Sequence, residues 1–130
     1  PWDSYPDRKH AAIVGLWKDN VTNQYTHYPR PQDNGNHEDC SMVQLKSVDG
    51  RIFRIEADGA PFSFSALHYS DIDIATATHD YHLKPSKYTY LKINCAVLGL
   101  GNGSCGPGVL KKYSIDRTKS HTLKFRMYIR

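Results

Sequence analysis

The chain has 130 residues, 39% of them hydrophobic and 23% charged, which suits one folded domain and excludes a globally disordered chain. No run approaches the roughly 18 apolar residues of a membrane-spanning helix, so no membrane partner is expected. The formal net charge of +4 would suit a polyanion, but acidic residues are interspersed with the basic ones and only the tail HTLKFRMYIR is locally basic. Nucleic acid is therefore not an expected partner either.

The chain opens on PWDSYPDRKH, polar and without Met. This reads as a cut inside a longer chain rather than as a secretory leader, and it leaves the compartment unassigned. Asn34-Gly35 is the first strong turn signal. MVQLKSV and RIFRIEA then flank Asp49-Gly50, a dipeptide favoured in tight hairpin turns, and a hairpin is predicted there. After the turn signal Asp58-Gly59, Phe62, Phe64 and Ala66 alternate with Ser63 and Ser65, the period of a half-buried strand. Ser70 and Asp73 have the spacing of a capping box, so residues 70–78 suit one short helix, although Ile72, Ile74, Ala75 and Ala77 also suit a strand. Lys84-Pro85-Ser86 precedes a strand candidate over Tyr88, Tyr90 and Leu91-Lys92-Ile93. In the last segment Leu123, Phe125, Met127 and Ile129 fall on one face and Thr122, Lys124, Arg126 and Arg130 on the other. Strands at short intervals with turns between them predict an all-β, antiparallel sandwich or barrel with at most one short helix.

Most candidate chemistry fails on its own geometry. GLGNGSCGPGV, residues 99–109, holds five glycines, and so dense a run marks a sharp turn or a close approach. It lacks the third glycine and the following helix of a dinucleotide fingerprint, and no Lys-Ser/Thr pair stands at P-loop spacing. Cys105 as a nucleophile would need a histidine base, and no signature connects one to it. Cys40, Cys95 and Cys105 are too few for a disulfide framework; one bridge is possible and buried free thiols are expected. His79-x-x-His82 and His37-x-x-Cys40 could each give two metal ligands, short of the three or four a zinc site needs. The eleven Asp, with Glu38 and Glu56, sit mostly in turn contexts, and nothing marks out the carboxylate pair that sugar hydrolysis requires. Nine Tyr, two Trp and four Phe would serve a carbohydrate-binding module or simply fill a sandwich.

The order of short strings says more. Tyr5-Pro6-Asp7-Arg8 comes first, then Tyr25-Thr26-x-Tyr28-x-x-Pro31-Gln32-Asp33-Asn34-Gly35-Asn36. Phe62-Ser63-Phe64-Ser65-Ala66-Leu67-His68-Tyr69 follows, then His79-x-x-x-Leu83. Leu91-x-Ile93-Asn94 leads into the glycine loop, and Leu110-x-x-Tyr113-x-Ile115 comes after it. From about Tyr5 to the end this succession resembles the C-terminal, small-chain domain of the glycoside hydrolase family 2 β-galactosidases.

The resemblance implies that residues 1–130 are the second half of a supersandwich related to galactose mutarotase-like folds. It implies that the catalytic glutamates and the magnesium and sodium ligands lie in other domains, chiefly a catalytic barrel, and that the fragment alone hydrolyses no galactoside. Its expected partners are that barrel, the remaining domains and the galactoside substrate. The alternative is an autonomous carbohydrate-binding module. An excised half-sandwich is also expected to self-associate through unpartnered strand edges. Many family members carry a Gly-Gly-Asp-x-Ser-Trp loop whose Trp lines the sugar-binding mouth. Here Cys105 stands at the Trp position, as in a second family version ending Ser-Cys-Gly-Pro. Ser41-Met42 stands where Arg-Trp is common, and Asp33 where Glu is usual. The resemblance thus marks Asn102, Gly103, Ser104, Cys105 and Gly106 as a pocket rim.

Overall fold

A computed structural model describes residues 3–10, 12–103 and 105–130. Among the described residues six strands form two three-stranded antiparallel sheets: β1 (His37–Cys40), β4 (Phe62–Leu67) and β5 (Tyr90–Asn94) in the order β1-β4-β5, and β2 (Met42–Lys46), β3 (Ile52–Ala57) and β6 (Phe125–Ile129) in the order β2-β3-β6. This is the expected all-β antiparallel sandwich. One short helix, α1 (Asp71–Thr76), joins it, and among the described residues no helix is long and apolar enough to cross a membrane.

Local chemistry explains the elements. The predicted hairpin forms: β2 and β3 pair from Met42↔Glu56 to Lys46↔Ile52, and Gly50 takes φ +90° in the turn between them. Ser70 caps α1 through the complete capping box, its hydroxyl accepting from the Asp73 N–H while the Asp73 carboxylate accepts from the Ser70 N–H, so the helical alternative wins over residues 71–76. Between β1 and β2 stands only Ser41, and there the chain passes from one sheet to the other. A register shift between His37 and Cys40 and a positive φ of 54° at Asp39 turn the strand; bulges let a strand bend in this way, and Asp tolerates the left-handed region better than most residues.

The core sits between the sheets. Val43 and Ile55 pack against Phe62, with Cys40, Phe53, Phe64, Leu91, Ile93 and Leu123 around them. Behind β4 a second cluster of Tyr25, Leu67 and Ile74 is flanked by Tyr69 and Leu83, so irregular chain and α1 make a third layer. β4 is consequently not the half-buried strand its alternation predicts. Ser63 and Ser65 are as buried as their apolar neighbours, and neither hydroxyl has a hydrogen-bond partner among the described residues. The correction has a plain cause: β4 is a central strand covered on both faces, and period two in the sequence cannot show what lies behind the polar side.

β6 departs in the opposite direction. Its register, Phe53↔Ile129 and Ile55↔Met127, sets Phe125, Met127 and Ile129 on the same side of the sheet as Ile55. Yet they remain 40%, 52% and 73% exposed, and none of the three packs against the cluster of Val43, Ile55 and Phe62. The expectation of buried free thiols is also corrected: all three cysteines are free, but Cys40 is only half-buried and Cys95 and Cys105 are exposed.

Candidate functional site

The glycine loop leaves β5, and its first half is locked. Gly99 donates its N–H to the Tyr113 carbonyl at 3.1 Å, and a Cβ on Gly99 would lie 2.9 Å from Asp7 Cγ and 3.0 Å from Tyr113 Cβ. The next two N–H groups, of Leu100 and Gly101, donate to the two oxygens of the Asp7 carboxylate at 3.0 and 2.8 Å. Gly101 takes φ +62°, and a Cβ there would stand 2.7 Å from the Val109 nitrogen. At both positions glycine is required by space, and at Gly101 also by conformation.

Beyond Gly101 the loop turns tightly at the surface. The Asn102 carbonyl accepts from the N–H groups of Cys105 and Gly106 at 3.0 and 2.6 Å, and the Asn102 N–H donates to the Pro107 carbonyl at 2.9 Å. Of the predicted rim residues, Asn102, Gly103, Cys105 and Gly106 therefore share one exposed turn; Ser104 lies outside the described residues. Among the described residues, chain neighbours apart, no heavy atom stands within 4 Å of a Cβ built on Gly103 or Gly108, which leaves a partner room to approach the backbone.

Two further residues belong to this site, and neither is among the rim residues marked in the sequence. Besides Asp7, Arg8 donates through Nη2 to the Gly101 carbonyl at 2.7 Å and to Asn102 Oδ1 at 2.8 Å. Partial burial pushes the Asp7 carboxyl up, but the hydrogen bonds from Gly101 and Leu100 outweigh it and hold the group below its ordinary value, since hydrogen bonds to the charged form favour that form. Tyr5-Pro6-Asp7-Arg8 was visible as a string, and an Asp after Pro in a turn was its one physical signal. Nothing local could connect it to a loop 94 residues away.

The paired side chains weighed as metal ligands are otherwise engaged. His37 Nε2 is 2.7 Å from Gln24 Oε1 and its ring lies on Phe64, while Cys40 Sγ points at the carbonyls of His37 and Glu38. Burial pushes the Cys40 thiol up to about 11, with Glu38 and Asp39 adding to it. His79 and His82 both turn Nδ1 to the Thr78 hydroxyl at 3.2 Å. Among the described residues no three His, Cys, Asp or Glu side chains converge as a zinc-type site would require.

Comparison of the sequence with known proteins identifies its relatives. The model of the family described as β-galactosidase small chain matches residues 1–129. The β-galactosidase of Arthrobacter sp. (strain B7) is 34% identical over 98% of this chain and 13% of its own length. That of Staphylococcus xylosus is 33% identical over 96% of this chain and 13% of its own, and that of Lactobacillus delbrueckii subsp. bulgaricus 32% identical over 95% and 12%. The chain thus spans only about an eighth of the length of these curated relatives.

Proposed function

Because the chain belongs to the β-galactosidase small-chain family, we propose that it is the C-terminal, non-catalytic domain of a retaining family 2 β-galactosidase that hydrolyses terminal β-D-galactosides as a full-length enzyme. In that enzyme it buttresses the catalytic barrel and lends the turn Asn102–Gly106 to the rim of the sugar pocket. The catalytic carboxylates, and the magnesium and sodium of the parent enzyme, sit in its other domains.

The observation that carries the rim reading is the division within the glycine loop. Gly99 and Gly101 are pinned, while Gly103 and Gly108 face open space, so a rigid base presents a small, approachable backbone surface. Cys105 offers no stacking face, and the rim works through main-chain and Asn102 amide groups that hydrogen-bond sugar hydroxyls. Replacing residues 101–106 with a neutral linker in the full-length enzyme is expected to raise KM for lactose; unchanged KM and kcat would overturn the reading.

The buttressing reading rests on β6. Its free edge and the exposed stripe Phe125, Met127 and Ile129 present what the rest of a supersandwich would cover. In isolation the chain is then expected to self-associate with concentration in sedimentation velocity, and Met127→Lys to weaken that association. An NMR titration of the chain with galactose and lactose separates the alternative of an autonomous module. Saturable shifts at an exposed aromatic such as Tyr81, which stacks on His79, would favour that module. A flat titration favours a loop that acts only beside the barrel.

A further inference from the structure

The residues that hold the glycine loop come from the opposite end of the chain, and they grip one residue from both sides. The Gly101 N–H is held by Asp7 and the Gly101 carbonyl by its neighbour Arg8. These two groups belong to the two peptide planes that flank the Gly101 Cα. Fixing both fixes φ and ψ there, and hence the direction in which Asn102–Gly106 leaves the loop base. Arg8 also donates to Asn102 Oδ1, which fixes the amide so that its hydrogens point away from the Arg8 guanidinium.

The grip is itself anchored. The Arg8 N–H donates to the Tyr5 carbonyl at 2.8 Å, closing a turn with Pro6 at its second position, where proline presets the backbone. Tyr5 is buried, and beside it the Ser4 N–H donates to the Asn36 carbonyl while the Ser4 hydroxyl accepts from the Glu38 N–H. A continuous set of fixed contacts therefore runs from the edge of β1 through Tyr5 and Asp7-Arg8 to the exposed turn.

From this arrangement we infer that Asp7 and Arg8 are positioning residues for galactoside binding: they touch no substrate, and they set the conformation in which the rim meets the sugar. The inference rests on the rim reading above. Uniform loss of a binding contact raises KM and leaves kcat alone, whereas damage to the chemical step lowers kcat.

The test uses the full-length enzyme with Asp7→Asn, Arg8→Met and Arg8→Lys, alongside the 101–106 replacement. Asp7→Asn is isosteric but puts an amide against an N–H donor; charge-assisted hydrogen bonds of this kind support a rise in KM for lactose of about five- to twenty-fold, with kcat within about two-fold. Arg8→Met is expected to raise KM similarly and Arg8→Lys to restore part of the loss, since a single ammonium can reach one of the two acceptors. Hydrogen exchange of the peptide spanning 98–106 should quicken in Asp7→Asn while peptides of β3 and β4 keep their protection. Arg8 is exposed, so its variants fold even if Asp7→Asn does not. If the loop replacement raises KM and neither Asp7→Asn nor Arg8→Met does, the positioning role is wrong and the rim stands. A fall in kcat at constant KM, or unchanged exchange, overturns it equally. If the loop replacement itself leaves KM unchanged, the rim reading falls first and the inference with it.

Discussion

β4 and β6 carry equally clear alternation in the sequence, and the fold treats them oppositely. β4 lies between two strands with packed layers on both faces, so even its serines are buried. β6 is paired on one side only, and its apolar stripe is open. The contrast extends along the chain: past Gly99 none of the described residues is buried. Alternation states which residues share a face; burial is conferred by whatever the rest of the polypeptide brings to that face. At β6 that face is open among the described residues.

The contrast can be broken most severely at its closed end. Phe62→Ala should destabilise the chain by about 3–5 kcal/mol in urea denaturation, while Met127→Ala costs under about 1 kcal/mol in the isolated chain, because only the first leaves a cavity. The same Met127 substitution in the full-length enzyme should cost clearly more, if that face is covered there. Gly35→Ala comes next. Gly35 has φ +73°, and a Cβ would stand 2.7 Å from the Gln24 carbonyl oxygen and 3.1 Å from Leu67 Cδ2, so a loss of about 1–3 kcal/mol is expected.

A pH series sharpens the same point more gently. Burial holds the His37 imidazole below its ordinary value, so the unfolded chain takes up a proton first as pH falls. The stability this neutral histidine contributes is complete above about pH 6.5 and is lost as pH drops through its folded-state value. The denaturation midpoint should therefore decline between pH 7 and 5, and His37→Gln should flatten that decline. Thiol labelling disturbs nothing and reads burial directly: at pH 8 iodoacetamide should modify Cys95 and Cys105 at least about ten-fold faster than Cys40, whose raised thiol pKa and partial burial both slow it.

What the sequence disclosed was local. The Asp49-Gly50 hairpin and the Ser70–Asp73 capping box each need only neighbouring residues, and both form as read. Asn34-Gly35-Asn36 shows where that limit falls. Asn34-Gly35 reads as a turn signal, which says nothing of burial, and Asn34 and Asn36 are 1% and 3% exposed. The Asn34 amide bridges the Thr26 N–H and the Gln32 carbonyl, and the Asn36 amide donates to the Ser4 carbonyl. These side chains organise the layer behind β4 by satisfying buried backbone groups from separate parts of the chain. The Asp7-Arg8 grip is not legible locally for the same reason: the groups it holds lie 93 and 94 residues away in the sequence.

The passage at Ser41 has a mechanical consequence. Because β1 and β2 are one length of backbone interrupted by a single residue, the two layers of the sandwich have no hinge between them. Tension applied to one sheet is delivered covalently to the other within the span of a peptide unit. The two layers are therefore expected to melt together, and calorimetry of the chain should show a single transition.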